Sequence, residues 1–276
     1  MKDRATKTLQ ARFTGKASSD EGGHDRHAWV LAPLARLAPW ERSAVADIMK
    51  AWFEARPWEP PDSCDEALLW DYAERHGLGG VIGAMALAGN VNHPGFASRG
   101  RRRYLSNSLY YEQSMTVCAS LQETARNKSV PLGIIKGPAM AQEAYGDSGI
   151  RQFADLDVFV ASREDAWTLA EGMACDGFED SLQGSIPHRF EHPGRVFIYK
   201  NKWEAELCYP IPHPCDPLLE ILSAHWDRMV FVPGPGKKLA VPDPSVHLTM
   251  LLAHLARHFG ERLVWFLDIA AFVRHN

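Results

Sequence analysis

The chain has 276 residues, enough for one large domain or two small ones with a true core, and 46% of them are apolar. Its 30 Lys and Arg against 34 Asp and Glu give a formal net charge of −4, which excludes a global positive field for nucleic acid or anionic membrane and leaves only a local basic face open. The 5 cysteines form no Cys-x-x-Cys pair and are odd in number, which excludes a complete disulfide framework and predicts a reducing, cytoplasmic setting; no run of about 18 apolar residues exists, so no membrane partner is expected.

Residues 1–27 are polar and mixed in charge, without a sustained apolar period, and read as a disordered tail. A helical N-terminal region follows over 28–129. From Trp29 to Arg56 apolar residues recur at intervals of three and four, with a break near Pro39. A second block starts near Asp65 and breaks at His76-Gly77-Leu78-Gly79-Gly80, and a third runs from Val81 to Ala88, a pattern of α-hairpins. Arg99-Gly-Arg101-Arg-Arg103 precedes a long helix expected from Tyr104 to about Lys128. This basic cluster reads as a solvated helix start, with a phosphate-binding role as the alternative.

Residues 130–210 change character. Pro131 to Ile135 reads as a strand, Lys136-Gly137-Pro138 as a turn, and Ala139 to Tyr145 as a helix. A strand that feeds a helix start through Gly presents backbone N–H groups to an anion, and Lys136 adds a positive charge beside them. In the strand expected at Asp155 to Val160, residues two apart share a face, so Asp155 and Asp157 project together. Paired carboxylates repel unless a cation neutralises them, and hard oxygen donors suit Mg²⁺ or Mn²⁺; the alternative is an exposed edge strand with solvated acids. By the same repulsion, Asp157→Asn is expected to leave the metal-free protein no less stable. Ser162 caps a helix reaching about Cys175. Val196 to Tyr199 and Trp203 to Cys208 read as a hairpin that extends the sheet, with Glu206, or else Glu204, as a third acid on the face of the pair.

Residues 211–276 form a helical C-terminal region. Pro210 to Pro217 is a loop, Leu218 to His225 resumes helical spacing, and Pro233-Gly-Pro-Gly-Lys237 is a turn. Helices are expected from Val246 to about Phe259 and from Arg262 to about Arg274. His247, His254 and His258 line up on the first of these and, without a His-Glu-x-x-His acid, read as core or surface histidines.

In this order Lys136-Gly137, Arg151, Asp155 with Asp157, and Glu206 resemble the bacterial uncharacterised nucleotidyltransferase family of the DNA polymerase β-like superfamily. The chain departs from that pattern at Pro138, where a second Gly or Ser is usual, and at Cys208, where that strand carries His. The resemblance implies an α+β fold, with a small mixed β-sheet core between the N-terminal and C-terminal helical regions. It implies metal-dependent transfer of a nucleoside monophosphate from an NTP, ATP among them, to an acceptor hydroxyl on a small molecule, peptide or RNA. Asp155, Asp157 and Glu206 would serve as metal-binding and catalytic acids. Lys136 and Gly137 would hold phosphates. Arg151 would contact a phosphate or bridge the acids, and Asp268 would serve in packing or hydrogen bonding. Two other readings use the same fold: a non-catalytic interaction protein, and a kinase-like phosphoryl transferase.

Overall fold

The computed structural model describes residues 39–276 apart from 63, 176, 181–194, 201–202, 210–223, 225–227, 235–236 and 259. The chain divides into two units, Met1–Arg36 and Leu37–Asn276, and all described residues belong to the second. The expectations for the 1–27 tail and for a helix at Leu218 to His225 therefore fall outside the described residues, save for Ala224.

Four helices come first: α1 (Pro39–Phe53), α2 (Glu66–Arg75), α3 (Gly79–Leu87) and α4 (Pro94–Asn127). The side chain of Asp65 accepts from the N–H groups of Ala67 and Leu68 and so fixes the start of α2. The 34-residue α4 starts ten residues before the expected Tyr104. Pro94 near its N-terminus lacks the N–H that a first helical turn does not need, and His93 caps the end by accepting from Phe96 N. The arginine cluster therefore lies inside the helix rather than ahead of it. Arg103 Nε donates to Glu74 at 2.9 Å and Arg101 donates to the carbonyl of Ala86, so the cluster ties α4 to α2 and α3. Helices α3 and α4 cross where two glycines meet: a Cβ on Gly83 would lie 2.3 Å from the carbonyl oxygen of Gly100.

The core sheet has strand order β1-β2-β5-β4-β3, with β1 (Leu132–Ile135), β2 (Leu156–Val160), β3 (Glu179–Asp180), β4 (Arg195–Lys200) and β5 (Trp203–Cys208). Strands β2 and β5 are parallel; β1/β2, β4/β5 and β3/β4 are antiparallel. One sheet face carries Leu156, Val158, Val160, Ala205 and Leu207. It packs on Tyr111, Met115, Cys118 and Leu121 of α4 and on Leu169 and Met173 of α6 (Arg163–Ala174). These α4 positions recur at helical spacing, which gives the helix its one apolar stripe. Between β1 and β2 a short helix, α5 (Gly137–Met140), runs directly into a π-helix, Ala141–Tyr145.

The opposite sheet face carries Ile135, Phe159 and Cys208 against Val246 and Met250 of α7 (Pro244–Arg257). Helix α8 (Leu263–His275) packs Ala271 and Phe272 against Met140 and Ala144. His76, at the end of α2, ties that helix to the last one, since its carbonyl and Nδ1 accept from the N–H groups of Val264 and Leu263 at the start of α8. A separate hairpin pairs β6 (Met229–Gly234) with β7 (Lys237–Pro242); of the turn expected at Pro233 to Lys237, Pro233, Gly234 and Lys237 belong to these strands and 235–236 lie outside the described residues. Its flanking strands were not anticipated, because prolines and lysines interrupt their alternation. No helix among the described residues is long and apolar enough to cross a membrane. The fold is α+β, with a small mixed sheet and helices before and after it.

Candidate active site

At the end of β1 the buried Ile134 and Ile135 deliver the chain to Lys136, whose backbone has φ 57° and ψ −151°. This region is close to glycine-only, and a residue with a side chain pays of order 1–3 kcal/mol to stay in it. Two contacts hold Lys136 there. Its N–H donates to Nε2 of His247 at 3.4 Å, and its Nζ donates to Oδ1 of Asp157 at 3.1 Å. Gly137 continues the turn at φ 42°, which its missing Cβ permits. Pro138 has no N–H, and Ala139 N donates to the Lys136 carbonyl at 2.9 Å. Among the described residues, the anion-binding capacity of this turn thus comes down to the Gly137 N–H and the Lys136 ammonium.

Behind the turn lies a buried polar layer. His247 Nδ1 is 2.8 Å from Oε2 of Glu143, which the π-helix presents. His247 is fully enclosed and stands edge-on to Phe272. One turn further, Tyr145 Oη donates to Asp268 Oδ1 at 2.7 Å and Arg151 Nε donates to Asp268 Oδ2 at 2.9 Å. Another Arg151 nitrogen donates to the carbonyl of Gln152. Burial works against the Arg151 charge, but Asp268 beside it holds the guanidinium above its ordinary pKa. The π-helix widens the turn that aims Glu143 and Tyr145 at these partners.

The acids lie on the sheet in front of the turn. Asp157 is in register with Glu206 across the parallel β2/β5 pair and with Ile135 across β1/β2. Cys208 follows Glu206 by two positions and so shares its face. Donor atoms of Asp157, Glu206 and Cys208 all lie within 4.8 Å of one another. Asp155 sits in the bend just ahead of β2, so the expectation that the strand begins there is corrected by one residue. Asp155 is exposed and is not one of the three clustered donors. The charge of Asp157, and then desolvation, nonetheless raise its carboxyl to about 6, which marks it as a neighbour of the pair. Burial would lower the pKa of Lys136, but the charges of Asp157, Cys208 and Glu206 outweigh it and hold the ammonium above its ordinary value. Tyr110 lines the Asp155 side: its Oη donates to the Ala154 carbonyl at 2.8 Å. Burial first, then the charges of Asp155 and Glu204, push that phenol up to about 12.

The structure thus brings Lys136, Gly137, Asp157 and Glu206 together, with Asp155 at the edge, and turns Arg151 away into the Asp268 pair. Glu204, the alternative third acid, lies close enough to Tyr110 for its charge to help raise that phenol, and is not one of the three clustered donors. Sequence reasoning missed Glu143 and the contact of His247 with the turn. Nothing local signals a bond that joins positions 111 residues apart. His254 and His258 pack against Trp265, edge-on and tilted, with ring centroids 4.9 and 5.3 Å away.

Comparison with known proteins supplies the remaining observations. The family described as uncharacterised nucleotidyltransferase matches residues 62–276. No curated protein matches the chain. A crystal structure of an antigenic nucleotidyltransferase-like protein from Paracoccidioides brasiliensis is similar at 13% identity and a TM-score of 0.42, over 58% of this chain and 74% of that one. The crystal structure of ANT(2")-Ia in complex with adenylyl-2"-tobramycin is similar at 12% identity and a TM-score of 0.38, over 59% of this chain and 99% of that one.

Proposed function

The chain belongs to the uncharacterised nucleotidyltransferase family, and from that premise we propose that it transfers a nucleoside monophosphate from an NTP to an acceptor hydroxyl, dependent on a divalent metal. The observation that supports this best is the register of Asp157 with Glu206 beside the Lys136 ammonium, two acids and a base converging at the end of one strand–turn–helix element. Two facing carboxylates suit a divalent cation such as Mg²⁺ or Mn²⁺, and Asp157 and Glu206 would hold it with Asp155 at its side. When bound, such an ion neutralises phosphate charge and orients the chain of phosphates.

The protein's own contribution is positioning and charge. Lys136, whose Nζ pairs with Asp157, would turn to the phosphates of a bound nucleotide. The Gly137 N–H binds a second phosphate oxygen. Glu206 accepts the proton of the acceptor hydroxyl as that oxygen attacks the α-phosphorus and pyrophosphate leaves. Arg151 is assigned to the buried Asp268 network and given no phosphate contact. The odd number of cysteines, with no Cys-x-x-Cys pair, fits a reducing, cytoplasmic setting. Incubation with α- and γ-labelled ATP and a divalent metal tests the proposal: label from the α position should reach an acceptor. Transfer of the γ label would make the protein a kinase, and transfer of neither would favour an interaction protein.

A further inference from the structure

Cys208 closes the third corner of the acid site. It is 4% exposed, its Sγ lies 3.4 Å from Oε1 of Glu206, and it shares the β5 face with Glu206 opposite Asp157. The three side chains offer one donor atom each within a span of 4.8 Å, a separation that a single ion can bridge. The Lys136 ammonium already lies at this cluster, 3.1 Å from Asp157. A thiolate changes the metal that such a set selects. Mg²⁺ takes oxygen donors at short distance and near-ideal octahedral geometry, whereas sulfur favours softer ions bound tetrahedrally by few ligands.

We propose that Cys208 is a metal ligand of this chain, so that Asp157, Glu206 and Cys208 form a site that prefers thiophilic divalent cations of the zinc class to Mg²⁺. The proposal rests on the metal site of the functional reading and adds a ligand and a selectivity to it. A nucleotide-bound Mg²⁺ then competes with a thiophilic ion for the same carboxylates, and zinc-class ions inhibit transfer at concentrations where Mg²⁺ supports it.

Cadmium is the probe, because a cadmium–thiolate bond has its own ultraviolet charge-transfer band. The full-length, chelator-treated protein should bind one Cd²⁺ with that band, and Cys64→Ser/Cys175→Ser/Cys215→Ser should keep it. Cys208→Ser in that background should lose the band and lower the preference for Cd²⁺ over Mg²⁺ by roughly tenfold or more. Asp157→Asn should weaken the band while the thiol stays in place, which separates a shared ion from a thiol acting alone. A band and preference unchanged in Cys208→Ser, with MgATP still bound, would overturn the thiol ligand and leave the nucleotidyltransferase reading standing. Absence of both Cd²⁺ and MgATP binding in the wild type would remove the two together.

Discussion

His247 holds the Lys136 turn from behind: its Nε2 accepts the Lys136 N–H at 3.4 Å, while its Nδ1 stands 2.8 Å from Glu143. Neither that Nδ1 nor Glu143 Oε2 has a hydrogen-bond partner among the described residues, so the two atoms approach without the alignment of a bond, and the hold on the turn is the Nε2 contact. His247→Phe keeps the ring volume but leaves the buried Lys136 N–H without its acceptor. It should lower stability by about 1–3 kcal/mol and raise the KM for NTP by loosening the turn. Glu143→Gln leaves the Nε2 contact in place and should cost far less. Urea unfolding of both variants decides this, and equal losses would contradict the Nε2 contact as what holds the turn.

The Lys136–Asp157 pair reverses one sequence-based expectation. Like-charge repulsion between Asp155 and Asp157 suggested that Asp157→Asn leaves the metal-free protein no less stable. The side chains of Lys136 and Asp157 are only 21% and 10% exposed, so removing the carboxylate leaves a largely enclosed ammonium without its hydrogen-bonded partner. The loss should be about 2 kcal/mol, and Lys136→Met/Asp157→Asn should recover much of it. Thermal unfolding in the presence of chelator measures both; a double variant no better than the single one would show that the pair is not the cause.

His76 gives the fold an acid sensitivity. It is 6% exposed, and burial, assisted by the Arg262 charge, lowers its pKa from 6.5 to about 4. The unfolded chain takes up a proton below 6.5 that the folded chain refuses until about 4. Stability is therefore complete above pH 6.5 and falls as the pH drops towards 4, by up to about 3 kcal/mol from this residue. His76→Asn retains an acceptor for Leu263 N–H and should flatten that part of the stability–pH curve. An unchanged slope between pH 7 and pH 4.5 would rule His76 out as its source.

The α3/α4 crossing depends on absent side chains. Gly83→Ala would put a methyl 2.3 Å from the Gly100 carbonyl oxygen and 2.6 Å from Tyr104 Cβ. Backbone cannot give way as a side-chain tip does, so the variant should lose about 1–3 kcal/mol. A melting temperature equal to wild type would contradict the close crossing.

What the sequence made legible was local in origin. Same-face spacing paired Asp157 with Asp155, which the structure leaves just ahead of the strand, whereas Ser162 and Asp65 announced helix starts and the hairpin ending at Cys208 followed from alternation. The strand β3, the β6–β7 hairpin and the early start of α4 escaped because two-residue strands, proline-interrupted strands and an opening Pro94-Gly95 followed by an arginine cluster carry weak periodicity. The polar layer escaped for a different reason. Arg151 and Asp268, or Lys136 and His247, are joined only by the tertiary fold, so a charge that reads as a phosphate contact in sequence is free to find a buried partner.

The central claim is that Asp157 belongs to a metal-dependent NTP site, and calorimetric titration of MgATP and MgGTP into wild type and Asp157→Asn tests it most directly. The account predicts saturable, metal-dependent binding of at least one of the two by the wild type and a steep loss in the variant, with both proteins shown to be folded by circular dichroism. Equal affinity in the two proteins would contradict it.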